Sequence, residues 1–441
     1  MKNTILKYSS LLALLSAPFF STQTFAAECE TGASPSDSCT IDVSNITYTL
    51  TGDINTNTTD NIIDFGAGAN SNTLNFIGNI TSEGLDARAF SFSDNDGNTL
   101  TTIGNIITEG NSAEGIKFFS GVTNANIDMT GNITTSGVAA DGISINASSN
   151  SNTLSITGDV TTTGDTSYGI VLNNSDSNTV NMTGSITTSG STDSDAIRLN
   201  ASDSNTINMT GDISTSAIYS QGFSITDSGG NSIEMTGDIS TSGDSGVGIY
   251  MLRSDSNNYT MTGNISTTGR FGYGFLLHTS EYNIVDVTGN ITTEGTAAHG
   301  IYYFGDGYNT SYMRGNIHTS SNGAHGIHSY NSDSNITAIT GNVLTTGNSS
   351  YAVSFDTSHS NTTSIIGNVT TTNESAYAIF LSGSDSNDID VTGNISTEGD
   401  SSNAFHFISS DSNDASISGN IDTSGDFSHG IYIGSSRSNT I

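Results

Sequence analysis

Positive charge is scarce in this sequence. Nine lysine and arginine residues stand against 43 aspartate and glutamate residues, which gives a formal net charge of −34 over 441 residues. A field of that sign repels polyanions, and it therefore argues against nucleic acid or an anionic membrane surface as a partner. A solvated acidic surface keeps a long chain soluble and holds cations weakly.

Long apolar runs are missing except at the N-terminus. There, Lys2 and Lys7 precede the apolar stretch "LLALLSAPFF", and "TFA" supplies a small-residue cleavage site that ends at Ala26. This order is typical of a secretory signal peptide, so we expect residues 1–26 to be removed. The apolar stretch is too short to span a membrane. The sequence thus predicts an exported, soluble mature chain.

Cysteine is nearly absent, since only Cys29 and Cys39 occur. In the oxidising compartment that a signal peptide implies, two close cysteines are expected to form one local disulfide. The short loop between them offers too few further ligands for a metal site. We therefore predict an N-terminal cap over residues 27–46, cross-linked by the Cys29–Cys39 disulfide.

The mature chain also lacks helical periodicity, and a tandem repeat takes its place. The motif [TI]-G-[DN]-[IV], with minor variants, occurs fifteen times, at intervals of 26 or 27 residues. We number each repeat from its motif glycine as position 0. These glycines are Gly52, Gly78, Gly104, Gly131, Gly158, Gly184, Gly211, Gly237, Gly263, Gly289, Gly315, Gly341, Gly367, Gly393 and Gly419.

The other repeat positions have equally fixed residue types. Position −6 is Asn in fourteen of the fifteen copies from Asn72 to Asn439, with Ala125 the exception, and position +4 is Thr in fourteen, with Ser82 the exception. Positions −4 and −2 are mostly apolar, position +1 is Asp or Asn except at Ser185, and position +2 is Ile or Val in every copy. Each repeat therefore contains three short alternating segments separated by turn-forming residues.

One such repeat cannot bury its own apolar face, whereas stacked repeats can. A globular sandwich does not keep a fixed period, and a propeller blade needs about 40 residues. We therefore predict an all-β fold, a parallel β-helix (β-solenoid) of about fifteen coils of three strands over residues 47–441, roughly 70 Å long. Ile or Val at +2 should line the core. Asn at −6 and Asp or Asn at +1 should form hydrogen-bonded ladders at corners.

The threonine at +4 raises the possibility of a binding lattice on the surface. Strand alternation places +2 and +4 inside and +3 and +5 outside, so the regular threonine is expected to be internal. The outward positions vary, and only a few coils pair two threonines there, as Thr161 and Thr163 do. The broken lattice disfavours an ice- or mineral-binding face.

Position +10 forms a second column of interest. Five consecutive coils carry an aromatic or imidazole side chain there, namely Tyr273, His299, His325, Tyr351 and Tyr377, and the same count places Ser194 in this column. We favour a structural stack beside the small residue at +11. The alternative is a shallow stripe that binds a sugar or a protein partner. A metal site at His299 and His325 is weaker still, because no fixed carboxylate accompanies them.

Position +13 is predicted to point outward. It carries large side chains such as Tyr250, Tyr302 and Phe380. Apolar surface exposed in this way indicates lateral contacts.

No feature of the sequence indicates catalysis. No turn gains more than one residue, whereas sites on β-helices need walls, and no catalytic motif is present. The cations fall at different repeat offsets, as Arg88, Lys117 and Arg198 illustrate. The sequence predicts no catalytic residue, no cofactor and no metal site in this segment.

The signal peptide, the single close cysteine pair and tandem coils such as "MTGDIST" and "VTGNIST" carry a resemblance. The chain resembles the passenger region of Gram-negative autotransporter proteins and related large surface adhesins. The resemblance implies a right-handed parallel β-helix that crosses the inner membrane by its signal peptide and is displayed at the cell surface. It also implies a C-terminal membrane β-barrel, and no such segment is present. The chain stops at "SNTI", which opens another coil, so we expect a truncated C-terminus and membrane attachment only through a missing barrel.

Three functions follow as hypotheses. The first is a structural or adhesive surface rod whose ligand, on a host cell, in the matrix or on a carbohydrate, is not identified. The second is a carbohydrate-active β-helix lyase or hydrolase with its site outside this segment. The third is an ice- or mineral-binding solenoid.

Overall fold

A computed structural model describes residues 22–23 and 39–441. These residues form three long parallel sheets of 16, 15 and 16 strands, and the described part contains no helix. We name the sheets in the order in which each coil contributes to them, starting before its motif glycine. Among residues 39–441, no helical segment combines the length and the apolar character that a membrane crossing requires.

The first sheet takes positions −5 to −1 of each coil. Its strands are Thr22–Gln23, Thr47–Thr51, Thr73–Ile77, Thr99–Ile103, Asn126–Thr130, Thr153–Thr157, Thr179–Thr183, Thr206–Thr210, Ser232–Thr236, Asn258–Thr262, Ile284–Thr288, Thr310–Arg314, Ile336–Thr340, Thr362–Ile366, Asp388–Thr392 and Asp414–Ser418.

The second sheet takes positions +2 to +4. Its strands are Ile54–Thr56, Ile80–Ser82, Ile106–Thr108, Ile133–Thr135, Val160–Thr162, Ile186–Thr188, Ile213–Thr215, Ile239–Thr241, Ile265–Thr267, Ile291–Thr293, Ile317–Thr319, Val343–Thr345, Val369–Thr371, Ile395–Thr397 and Ile421–Thr423.

The third sheet begins at about position +12. Its strands are Cys39–Ile41, Ile63–Phe65, Phe90–Phe92, Ile116–Phe118, Ile143–Asn146, Ile170–Asn173, Ile197–Asn200, Phe223–Thr226, Ile249–Leu252, Phe275–His278, Ile301–Phe304, Ile327–Tyr330, Val353–Asp356, Ile379–Ser382, Phe405–Ile408 and Ile431–Gly434.

Every strand pairs in register with the equivalent strand of the coil before and after it. Ile213 pairs with Ile239, and Thr215 pairs with Thr241. Because the three sheets keep this order along the whole chain, like positions stack along one axis. The structure confirms the predicted β-solenoid of about fifteen coils.

The core fills the space between the three sheets. In the coil of Gly211, Ile207, Met209 and Ile213 are at most 3 % exposed, and the third sheet adds the fully buried Phe223. These are positions −4, −2, +2 and +12, and the prediction that Ile or Val at +2 lines the core is confirmed.

The motif glycine is fixed by the close approach of successive coils. Gly211 has a φ of 142°. A Cβ atom there would lie 2.2 Å from the carbonyl oxygen of Gly184, one coil earlier. A side chain at this position would therefore collide with the neighbouring backbone as well as strain its own.

The threonine at +4 is internal, as predicted, and it holds the turn of its own coil. Thr215 is 1 % exposed. Its Oγ1 donates a hydrogen bond of 3.1 Å to the carbonyl oxygen of Ser220. Twelve coils contain the equivalent bond, which ties the end of the second sheet to the turn before the third. These threonines are therefore not part of a surface lattice.

The asparagines at −6 form the predicted ladder. Asn283 Oδ1 accepts from the Asn257 backbone N–H at 2.9 Å and from Asn257 Nδ2 at 3.1 Å. Asn257 Nδ2 also donates to the carbonyl oxygen of Ser228 at 2.9 Å. At +1, the backbone N–H of Asn79 donates to Asp53 Oδ1 at 2.7 Å. Both ladders satisfy backbone groups that the strands leave unpaired at corners.

The N-terminal predictions fall mostly outside the described residues. Cys39 is buried and opens the first strand of the third sheet, so pairing begins within the predicted cap of residues 27–46. Cys29 lies outside the described residues, and the Cys29–Cys39 disulfide stays a prediction. Of the predicted signal peptide, only Thr22–Gln23 is described, as a short strand paired with Thr47 and Tyr48.

Replacing Thr215 with valine keeps its shape and removes its hydroxyl. The buried carbonyl of Ser220 then loses its donor, and we expect a loss of about 1–2 kcal/mol in the free energy of unfolding. Urea denaturation followed by circular dichroism measures the change. Thr210→Val, at an exposed position of the same coil, is the control and should leave the midpoint nearly unchanged. Equal effects of the two substitutions would contradict the turn-holding role.

Candidate functional site

The outer face of the third sheet carries the columns at +10 and +13. Its strands point positions +12 and +14 into the core, so +13 and +15 face outward. Side chains at +10, in the turn that leads into the strand, lie beside +13. Three parallel columns therefore run along this face, and each coil contributes one side chain to each column.

Carboxylate, amide and imidazole side chains at +10 accept hydrogen bonds from the backbone of the next coil. Asp141 Oδ1 accepts from the Tyr168 N–H at 3.0 Å, and Gln221 Oε1 accepts from the Val247 N–H at 2.6 Å. Asp195 Oδ1 likewise accepts from the Gln221 N–H at 2.7 Å. The prediction that Ser194 belongs to this column is wrong. The coil of Gly184 has its extra residue in the turn before the third sheet, which shifts Asp195 into the position.

The structure brings the five predicted stripe residues together as one stack. Ring centroids are 5.3 Å apart for Tyr273 and His299, 4.8 Å for His299 and His325, 4.6 Å for His325 and Tyr351, and 5.1 Å for Tyr351 and Tyr377. The planes of successive rings differ by 13° or less.

Both histidines are part of the backbone ladder. His299 Nδ1 accepts from the His325 N–H, and His325 Nδ1 accepts from the Tyr351 N–H, each at 2.9 Å. A nitrogen that accepts carries no proton, so the proton of each neutral ring is on Nε2. Burial lowers the pKa of both rings well below the usual value, and the neighbouring His328 lowers each further. The two imidazoles are thus neutral structural acceptors.

The stacking limits what this column offers to a ligand. The ring faces of its inner members cover one another, so mainly ring edges, hydroxyls and Nε2–H groups point toward solvent. Sugar rings bind aromatic side chains through the ring face. The geometry therefore favours a structural role for the stack itself. The ring faces that a ligand can reach belong to the neighbouring columns.

The +13 column faces outward, as predicted, and packs sideways against the stack. The Tyr302 ring centroid is 5.2 Å from that of Tyr273 and 5.0 Å from that of His299. Position +15 adds a third aromatic column that the sequence analysis missed, in which Phe304 lies 5.7 Å from Tyr330. A list of the residue at position +15 of every repeat shows this column in the sequence. Together the columns make an aromatic surface several rings wide.

The N-terminal part of the same face is polar. It contains three cations that fall at different positions when each repeat is numbered from its motif glycine. Lys117, Ser144, Val171 and Arg198 are in register on successive strands, so Lys117 and Arg198 share the +13 column. The extra residue of the Gly184 coil hid this alignment. Arg88, at +10, joins them on the same face.

Each of these cations is paired with carboxylates. Arg88 Nε lies 2.7 Å from Glu114 Oε2, and Lys117 Nζ lies 2.8 Å from Glu114 Oε1. Arg198 is 3.0 Å from Asp193 Oδ1. Arg198 also lies 4.8 Å over the ring of Tyr168 and bonds its hydroxyl. Each cation of the polar part is therefore neutralised by a neighbouring carboxylate.

A cleft of about 330 Å³ opens beside Arg198. Val171 and Ser144 are on its floor, and Asp141 and Tyr168 form one wall. Three asparagines in the +15 column form the other wall: Asn146, Asn173 and Asn200. Burial raises the pKa of Asp141 to about 7, and the backbone bond from Tyr168 and the charge of Lys117 lower it only in part. A carboxyl group with a pKa near neutrality can donate or accept a proton at physiological pH.

Metal binding has little support in the described residues. Within residues 39–441, no three His, Cys, Asp or Glu side chains converge to hold a metal ion.

The chain matches no protein-family model, no curated protein and no solved structure. Function must therefore be argued from the surface itself.

The histidine ladder predicts a specific pH dependence of stability. Because the folded-state pKa of both rings is depressed, their contribution is complete above the unfolded pKa of about 6.5 and is lost as the pH falls. Replacing His299 and His325 with glutamine keeps an acceptor, as Gln221 demonstrates in the same column. We expect the wild type to lose up to about 1 kcal/mol per histidine and pH unit below 6.5 relative to this double variant.

Urea unfolding at pH 8, 6.5 and 5 measures the difference. Other titrating groups are common to both proteins, so they largely cancel. Parallel stability curves for the two proteins would show that the histidines are not held neutral.

Proposed function

We propose that this chain is an exported surface rod that serves as structural spacer and adhesive surface, in the manner of an autotransporter passenger. The observation that carries the proposal is the unbroken stack of fifteen coils, whose repeats are all 26 or 27 residues long. Such a stack reaches about 70 Å while presenting the same columns along its whole length. Export is supported by the N-terminal sequence pattern that ends at Ala26.

The aromatic surface is the part best suited to contact a partner. Tyr302, Phe304 and Tyr330 are only half buried although they are large and mostly apolar. Tyrosine and phenylalanine are enriched where proteins bind one another, because they bury much area with little loss of conformational entropy. On a rod with a net charge of −34, an uncharged surface is also where a partner meets the least repulsion.

Adhesion by this surface is testable with beads coated with the chain from residue 27. Phe304→Ser with Tyr330→Ser should reduce bead attachment to fixed epithelial cells and to a basement-membrane coat at least tenfold, because hot-spot aromatics dominate binding. The matched control, Ile107→Ser with Leu344→Ser, removes two outward apolar side chains from the second sheet and should keep attachment. Absence of wild-type attachment, or equal loss in both variants, would refute an adhesive role for this face.

The polar cleft favours a second candidate, a carbohydrate-active enzyme. The sequence analysis placed such a site outside this segment. The carboxyl group of Asp141, with a pKa of about 7, lies in a cleft with Arg198 and a wall of asparagine amides that suit sugar hydroxyls. As a hydrolase, Asp141 would donate a proton to the glycosidic oxygen while the C–O bond breaks and water adds to the anomeric carbon. As a lyase, Asp141 would remove the proton from the carbon next to a uronate carboxylate, Arg198 would stabilise the negative charge, and the glycosidic C–O bond would break by β-elimination.

If the cleft is catalytic, the purified chain should release reducing ends or unsaturated uronate from a polysaccharide panel. Asp141→Asn should then lower the rate at least about 100-fold. Asp128→Asn, on the exposed outer face of the first sheet, should leave the rate unchanged. No release by the wild type from any polysaccharide would eliminate this candidate.

A further inference from the structure

A second cleft lies where the polar and aromatic parts of the third-sheet face meet. It has a volume of about 380 Å³. The stack of rings begins at Tyr273, since Gln221 and Val247 occupy position +10 in the two preceding coils. Val247 and Leu276 are 4 % and 9 % exposed and supply an apolar lining. The hollow thus opens at the end of the ring stack.

Two aromatic residues stand at the rim of this cleft. Tyr219 and Phe271 both occupy position +8 of the turn before the third sheet, with Ser245 in the coil between them. Two coils separate them along the axis, which corresponds to about 10 Å. That spacing accommodates one saturated sugar ring between two aromatic rings in van der Waals contact with it.

The backbone at +8 is unfavourable for such residues. Tyr219 and Phe271 have φ values of 58° and 55°, in the left-handed region. Other coils place Ser245, Ala297 or Gly323 in the same conformation. Large aromatic residues are uncommon in this conformation. Two of them nevertheless flank one cleft, although a serine, an alanine or a glycine forms the same turn in other coils.

Their ring faces are also available, in contrast to those of the +10 stack. Within residues 39–441, neither ring stacks on another aromatic ring. Tyr219 is 62 % exposed. The guanidinium of Arg270 lies 4.5 Å over the ring of Phe271 and covers one face, which leaves the other face free of a cation contact.

The polar groups of the cleft are uncharged. Gln221 Nε2 donates to the carbonyl oxygens of Tyr219 and Ser245 at 3.2 and 3.3 Å, so this amide fixes the wall and is already committed. Hydroxyls of Tyr219, Ser245 and Tyr250 remain as groups that can bond a ligand. Burial raises the pKa of Tyr250, which keeps its hydroxyl protonated.

We propose that this cleft binds one neutral hexose unit of a glycan between Tyr219 and Phe271. Aromatic faces pack against the C–H groups of the sugar, the hydroxyls bond its hydroxyls, and no charged side chain lines the cleft. The net charge of −34 repels anionic sugars such as uronates. The inference deepens the proposed adhesive function by naming a ligand class, and it rests on that function for its biological meaning.

Titration of the chain from residue 27 with lactose, cellotriose, chitotriose and trigalacturonate tests the proposal. Saturation-transfer NMR and calorimetry should detect at least one neutral oligosaccharide with millimolar or tighter affinity, and much weaker binding of trigalacturonate. Tyr219→Ser and Phe271→Ser should each weaken binding at least tenfold. Both install a residue type that Ser245 carries at the same position, so the fold should be kept.

Phe427→Ser is the matched control. Phe427 occupies the same position in the coil of Gly419, with a φ of 59°, and is 86 % exposed. This variant should bind sugar like the wild type. No neutral oligosaccharide bound at 10 mM, preferred binding of trigalacturonate, or wild-type affinity in both rim variants would each overturn the proposal.

The bead assay on the same variants separates the two proposals. Sugar binding without bead attachment would refute the adhesive function and leave the sugar site standing. Attachment without binding of any neutral sugar would overturn the sugar site and leave the adhesive function standing.

Discussion

The in-register parallel pairing of successive coils is the constraint on which the rest of this structure depends. Coils lie about 4.8 Å apart, so each residue has the equivalent residues of the adjacent coils as its axial neighbours. A side chain that can bond the backbone of an adjacent coil is then useful in every coil. Asn283 at −6, Asp53 at +1 and His299 at +10 use different chemistry for this same purpose.

The same constraint confines functional variation to the outward columns. The motif glycine and the threonine at +4 are needed in almost every coil, because one permits close backbone approach and the other holds the turn. Positions +10, +13 and +15 have no such requirement on their outer side. They can change from cations and carboxylates around Arg198 to rings around Tyr302 without altering the backbone. A rod of this kind diversifies along columns, whereas a globular enzyme diversifies in loops.

Regular stacking also covers ring faces that could otherwise contact a ligand. Rings that lie 4.6 to 5.3 Å apart cover each other's faces, so the most regular aromatic column is the least suited to hold a sugar. An open hollow appears where this regularity ends. Val247 directly precedes the stack, and Tyr219 and Phe271 border the hollow. The coils that depart from the repeat consensus are therefore the ones that indicate where a ligand has access to ring faces.

The sequence by itself determined the period, the three strands of each coil, the inward side chains and the asparagine ladder, because strand alternation and a fixed repeat are local properties. The tertiary structure alone decided the alignment of coils that contain an extra residue. An insertion can be absorbed in any turn, and only strand pairing showed that Asp195 replaces Ser194 and that Arg198 joins Lys117. It also decided which side chains meet, since Tyr219 and Phe271 are 52 positions apart in the chain and become neighbours only through stacking.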